Sequence, residues 1–216
     1  MRLLCLALFA EGPTDHAFLK PVIRRLAEQF CLRHGRESID IADVLELHTP
    51  PGRAGAPRAT RIAMAAASAQ LAWQVLCIHT DGASDPTSAQ RERVQPAVER
   101  IAAELGSAHR TAAVVPVREL EAWLLADGDA LRAALGTTLD DAALGLPSPC
   151  RDVERVADPK GVLDRVYEQV TERRRFGAYL YDALGERVDL RKLRDVPAFA
   201  AFECDLGQAL RDLRFI

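Results

Sequence analysis

The chain has 216 residues, 49% of them hydrophobic and 27% charged, with a formal net charge of −3. That composition, with no block of like charge, excludes a disordered chain, and the length suffices for one medium α/β domain with a sizeable core. No apolar run approaches the roughly 18 residues of a membrane span, and the slight acidity confines any nucleic-acid contact to a local patch.

Of the 28 basic residues only Lys20, Lys160 and Lys192 are lysines. Together with the abundance of Ala, this reads first as base-composition bias. The five cysteines, Cys5, Cys31, Cys77, Cys150 and Cys204, are scattered and form no CxxC. Neither a zinc site nor a disulfide framework is expected, and a reducing cytoplasm is. The opening Met1-Arg2 followed by Leu3–Ala10 has one positive charge and ends at Glu11, so it reads as a buried strand rather than a secretory leader.

Four apolar runs, Leu3–Ala10, Val44–His48, Gln74–Thr80 and Thr111–Val117, predict strands. The first and third are nearly continuous, the pattern of strands covered on both faces. Helices are predicted between them. The first runs from Thr14 to about His34, with Phe18, Val22, Leu26 and Phe30 on one stripe, and the second from Arg58 to Ala72. The third runs from Pro86 to Gly106, with Asp85 as its cap. This alternation implies a mostly parallel four-stranded sheet flanked by helices. Arg118–Leu135 reads as a fourth helix, Gly136–Cys150 as a loop, and Pro159 to Phe176 and Pro197 to Leu213 as further helices. The organisation expected is an α/β core over 1–135 and a helical C-terminal extension, 136–216, packed on it.

In an open parallel sheet ligands bind beyond the carboxyl ends of the strands. The first strand ends in Glu11-Gly12-Pro13-Thr14-Asp15, the third in Asp81-Gly82-Ala83-Ser84-Asp85, and Arg118-Glu119-Leu120-Glu121 follows the fourth. Carboxylates from remote segments thus gather on one rim. There they raise one another's pKa unless a cation compensates, and oxygen-only donors favour Mg2+ or Mn2+. Each acid also has a simpler role open to it: Asp85 and Asp15 as a cap and first-turn acid, Glu11 as a loop acid, Asp81 as part of a turn. Glu119 and Glu121 would point in nearly opposite directions within a helix. One of them, rather than both, is therefore expected to face the site unless the segment is extended.

Positive charge on the same rim comes from Arg53, Arg58 and Arg61, in a stretch with no acid between Glu46 and Asp81. Arginine forks suit phosphate, so these residues are candidates for nucleic-acid binding. Arg173-Arg174-Arg175 forms a second basic run. There is no P-loop, no GxGxxG and no G-x-S-x-G. His79, inside the third strand, reads as a packed core histidine.

The strand–Glu11-Gly12-Pro13-Thr14-Asp15–helix unit, followed by strand–Asp81 with Asp85, is similar to the Toprim domain of topoisomerases, primases and nucleases of the overcoming-lysogenization-defect type. The stretch Arg118 to Asp127, with Asp158-Pro159-Lys160, resembles more narrowly a Toprim-like family, DUF4276, over almost the whole chain. The resemblance implies a Toprim-like (Rossmann-like) fold and a Mg2+-dependent nuclease acting on DNA or RNA. It also implies a place in a phage-defence or mobile-element system, working with a separate ATPase chain. Glu11 would be a metal ligand or general acid/base, Asp15 a further ligand, Asp81 the first acid of the Toprim Asp-x-Asp pair, and Lys160 a lysine at the scissile phosphate. The second acid of that pair is replaced by Ala83, with Asp85 the next acid. The alternatives are a weakly active or inactive Toprim-like binding module acting with a partner ATPase, and a small-molecule phosphohydrolase.

Overall fold

The computed structural model describes residues 2–173 and 175–216, with the side chain of Ser107 outside the description. Its centre is a four-stranded, all-parallel sheet. The strands are β2 (Leu6–Phe9), β4 (Leu45–Leu47), β5 (Val75–His79) and β6 (Arg110–Val114), in the order β4-β2-β5-β6. β1 (Arg2–Leu4) and β3 (Ile39–Ile41) pair in parallel as extensions of β2 and β4. At the break between β1 and β2, Cys5 N–H donates to Gln74 Oε1 at 2.7 Å and Cys5 O accepts from Gln74 N–H.

All four apolar runs contain strands. β3 is an addition, formed by the alternating Ser38-Ile39-Asp40-Ile41, where no strand is predicted.

Side chains alternate across the sheet as the strand period requires. Leu6, Leu8, Val75, Cys77, Ala112 and Val114 face a layer built on α1 (Pro13–His34). Ala7, Phe9, Leu76 and Ile78 face α2 (Arg58–Ser68) and α4 (Gln95–Leu105) on the other side. α4 continues from α3 (Pro86–Ala89) through a π-helical segment, Gln90–Val94. Crossovers that move in opposite directions from β2 must use opposite faces, as right-handed connections demand.

Arg118–Leu135 departs from the single helix that the leucine spacing predicts. It folds as α5 (Glu121–Leu124) and α6 (Gly128–Leu135), separated by Asp127. The Asp127 carboxylate accepts from the N–H groups of Asp129 and Ala130, capping a new helix, which outweighs the leucine stripe. Residues 137–149 hold turns and no regular helix, and a 3-10 helical segment, Cys150–Arg155, ends the loop. It is followed by α7 (Pro159–Thr171), α8 (Tyr179–Arg187), α9 (Leu190–Leu193) and α10 (Pro197–Asp212). α8 packs along α1 and α10 lies against β6. Trp123, Phe199 and Phe202 interlock in this layer, with Trp123 and Phe199 edge to face at 5.2 Å. The C-terminal helices therefore share one apolar core with the sheet.

Candidate metal and phosphate site

The chain leaves β2 toward β4 on one side and later returns to β5 on the other. β2 and β5 are thus adjacent while their following loops diverge, the switch-point crevice of an open parallel sheet. Glu11 stands just beyond β2 and Asp81 just beyond β5. Gly12 and Pro13 open α1, and Asp15 Oδ2 accepts the Gly12 N–H at 2.9 Å, so Asp15 serves as a first-turn acid and also faces the crevice. At the end of β5, the ring nitrogens of His79 lie 3.6 Å from Asp15 Oδ2 and 3.5 Å from Asp81 Oδ1. Burial holds the His79 pKa down to about 3, so the ring is a neutral wedge between the two carboxyls. His79 is the buried histidine the strand pattern predicts, yet its edge lines the site.

The loop after β5 is held against the loop after β6. Gly82 N–H donates to Pro116 O at 2.9 Å, and Ala83 N–H donates to Arg118 O at 3.2 Å. A Cβ on Gly82 would lie 2.6 Å from Pro116 O, so this approach requires glycine. Ala83 and Arg118 both adopt positive φ, 50° and 64°, in forming the bridge. The bridge carries Glu119 and Glu121 to the rim. Glu119 precedes α5 and Glu121 opens it, so the two are not consecutive positions of one helix. Both carboxylates act on Asp81: its pKa is pushed up to about 7 by burial first, then by the charges of Asp15, Glu11, Glu121 and Glu119. Burial likewise raises Asp15 and Glu119.

Glu119 Oε1 accepts the Lys160 backbone N–H at 3.1 Å, which joins the start of α7 to the rim. Buried Glu121 accepts from the Tyr181 hydroxyl at 2.8 Å. Asp85 is committed elsewhere, since its side chain accepts the Ser88 N–H at 3.0 Å and caps α3. It is not among the carboxylates that raise Asp81 most.

Arg58 is drawn into the acidic cluster rather than left open to a ligand. Its Nη1 lies 2.7 Å from Glu11 Oε1 and its Nη2 donates to His79 O at 2.5 Å, while the guanidinium carbon sits 5.8 Å from the Phe9 ring centroid. Arg61 donates to Thr49 Oγ1 at 3.3 Å. Arg53 is exposed in the loop before α2. Arg93, which sequence reasoning missed, donates to Asp81 O at 3.2 Å from the π-helical segment. Tyr181 was missed as well. Neither position carries a local motif, because each reaches the rim only through tertiary packing. Arg174 lies outside the described residues.

Five carboxylates, from Glu11, Asp15, Asp81, Glu119 and Glu121, thus share one rim of the sheet. Among the described residues no three His, Cys, Asp or Glu side chains converge into a ready-made cage. The donor chemistry nevertheless fits a hard cation. Asp81 Oδ1 is buried without a hydrogen-bond partner, and like charges surround it.

Fold and site together define a three-layer α/β protein with an acidic switch-point crevice. The model of the family described as Domain of unknown function (DUF4276) matches residues 10–207, and the chain belongs to that family. A comparison with curated proteins and one with solved structures gave no match. Among the described residues no helix is long and apolar enough to cross a membrane.

Proposed function

We propose that this chain is a Toprim-type, divalent-metal-dependent phosphodiesterase acting on DNA or RNA. The observation that carries the reading is the juxtaposition of Asp15 and Asp81 across His79, with Glu11 beside them on the adjacent strand end. Glu11, Asp15, Asp81, Glu119 and Glu121 would hold Mg2+ or Mn2+. Bound there, such an ion supplies charge neutralisation at the phosphate and lowers the pKa of a water. The protein's own contribution is positional. His79 holds two carboxyls apart, the Ala83–Arg118 bridge fixes the Glu119 segment, and Arg58 orients Glu11. Lys160, whose backbone is tied to Glu119, would stabilise charge on a phosphate electrostatically.

The test is cleavage of labelled single- and double-stranded DNA and of RNA with Mg2+ or Mn2+. Activity should vanish with EDTA and in Glu11→Gln and Asp81→Asn proteins of unaltered secondary structure. Cleavage that persists in both variants would overturn the assignment.

A second reading is favoured by the Arg58–Glu11 ion pair and by Ala83 in place of an acid. It makes the chain a catalytically weak Toprim-like module that acts with a partner ATPase in phage defence or on a mobile element. Calorimetric titration with Mn2+ separates the two: heat lost in Asp81→Asn supports the enzyme, and no heat at millimolar metal supports the module.

A further inference from the structure

Beside the acidic rim is a cavity of about 440 Å³ lined by Thr14, Lys160, Asp164, Arg175, Phe176, Ala178 and Tyr181. Its size falls within the range of small-ligand sites. Three lining residues connect it to the carboxylates: Thr14 precedes Asp15, the Lys160 N–H donates to Glu119, and the Tyr181 hydroxyl donates to Glu121. Among the described residues, neither the Lys160 ammonium nor the Arg175 guanidinium makes a side-chain hydrogen bond or ion pair. The one acid of the lining, Asp164, accepts the Phe176 N–H at 2.7 Å. Phe176 is half-buried and stands edge to face with both Tyr167 and Tyr181, at 5.7 and 5.6 Å. Two cations without a hydrogen-bonded or ion-paired partner, Lys160 also lying in the field of Glu119, and an aromatic wall thus face a space that opens beside the carboxylates.

Resting on the reading above, we propose that this cavity holds one nucleotide unit of a single-stranded substrate, next to the unit presented to the carboxylates. Arg175 takes its phosphate, Lys160 takes the phosphate that joins it to the unit at the carboxylates, and Phe176 packs against its base. The strand then crosses the helical extension, away from Arg53, Arg58 and Arg61, where Arg58 is already paired with Glu11. Arginine and an aromatic face are the two elements that bind single strands without sequence preference.

The experiment is fluorescence anisotropy of 12-nucleotide DNA and RNA oligomers of one sequence, in EDTA, across a salt series. Working without metal separates binding from cleavage. Lys160→Ala and Arg175→Ala should each weaken binding and lower the salt slope by roughly 0.7, the contribution of one phosphate contact. Phe176→Leu should weaken binding roughly 5- to 150-fold with the slope unchanged, as loss of one stacked base predicts. Thermal unfolding curves would establish that each variant is folded. Wild-type affinity and slope in all three folded variants overturn the proposal, as does a loss confined to Arg53→Ala or an absence of binding by the wild type. Each of these outcomes leaves the metal-site assignment standing, because that depends on cleavage and its loss in Asp81→Asn.

Discussion

Arg58 Nη1 and Glu11 Oε1 lie 2.7 Å apart at the mouth of the crevice, so the guanidinium acts as a counter-charge of the carboxylate cluster. The pairing offsets part of the repulsion among the acids that share one strand-end rim, and it sets a competition. A divalent ion that uses Glu11 must displace or share the contact. Arg58→Gln should therefore have two opposite effects. The metal-free protein loses about 1.5 kcal/mol, the low end for a charge-assisted hydrogen bond because Glu11 is half exposed. Its Mn2+-induced rise in Tm, a mass-action measure of affinity, should exceed that of the wild type. Differential scanning fluorimetry with and without Mn2+ reads both, and an equal or smaller rise would show that Arg58 does not compete for the site.

Asp81 titrates near 7 in the folded chain and near 3.8 when unfolded. Between those values the folded state keeps a proton that the unfolded state has lost. Stability due to this group is thus fully present below about 3.8 and is lost as pH rises to about 7. His79, depressed to about 3 from 6.5, contributes the opposite slope, with stability gained as pH rises between those values. The wild-type curve alone therefore cannot isolate Asp81, but the difference from Asp81→Asn can. In EDTA, the variant should match the wild type near pH 4 and exceed it near pH 7.5 by urea denaturation. Saturating Mn2+ should reverse the order at pH 7.5. A difference that does not change with pH would show that Asp81 is not perturbed by its neighbours.

The rim was legible in the sequence because β2 and β5 each end their apolar run directly in an acid, and a parallel sheet brings such ends together. The partners of those acids were not legible. Tyr181 reaches Glu121 from 60 positions away, and Arg93 reaches the Asp81 carbonyl from the next helical segment. Neither contact leaves a local pattern. Arg58 was singled out for phosphate on its charge and position, and the structure commits its guanidinium to Glu11 and His79. Burial beside a carboxylate decided this, and the sequence cannot express it. The break at Asp127 did have a signal, since Asp127-Gly128 is a cap followed by a helix start, but the leucine spacing masked it.

The contact between α1 and α8 depends on Gly185. A Cβ there would lie 2.5 Å from Phe18 O and 2.6 Å from Pro21 Cγ, both on a buried helix that cannot yield. Gly185→Ala would ordinarily strengthen an exposed helix, yet here it should destabilise by about 1–3 kcal/mol through overpacking. Because α8 carries Tyr181, a displaced helix should also weaken the Tyr181–Glu121 hydrogen bond. The variant's near-ultraviolet circular dichroism and urea midpoint measure the two consequences. A stabilised protein would mean that the helices separate freely.

Asp127 joins α6 to α9 through one buried carboxylate. It caps α6 at the Asp129 and Ala130 N–H groups, accepts the Asp189 N–H at 2.9 Å, and meets Lys192 Nζ at 2.6 Å. The cap is worth about 1 kcal/mol, and the remaining bonds involve a charge that the protein excludes from water. Asp127→Ala should therefore cost about 2–4 kcal/mol, less than a fully buried pair, because Lys192 remains partly exposed and also pairs with Asp129. Asp127→Asn keeps one acceptor oxygen and should recover the cap but not the ion pair, placing its urea midpoint between those of the wild type and the alanine variant. If asparagine is as damaging as alanine, the lysine contact dominates. If it equals the wild type, the carboxylate acts as a cap alone and its charge contributes nothing to joining α6 with α9.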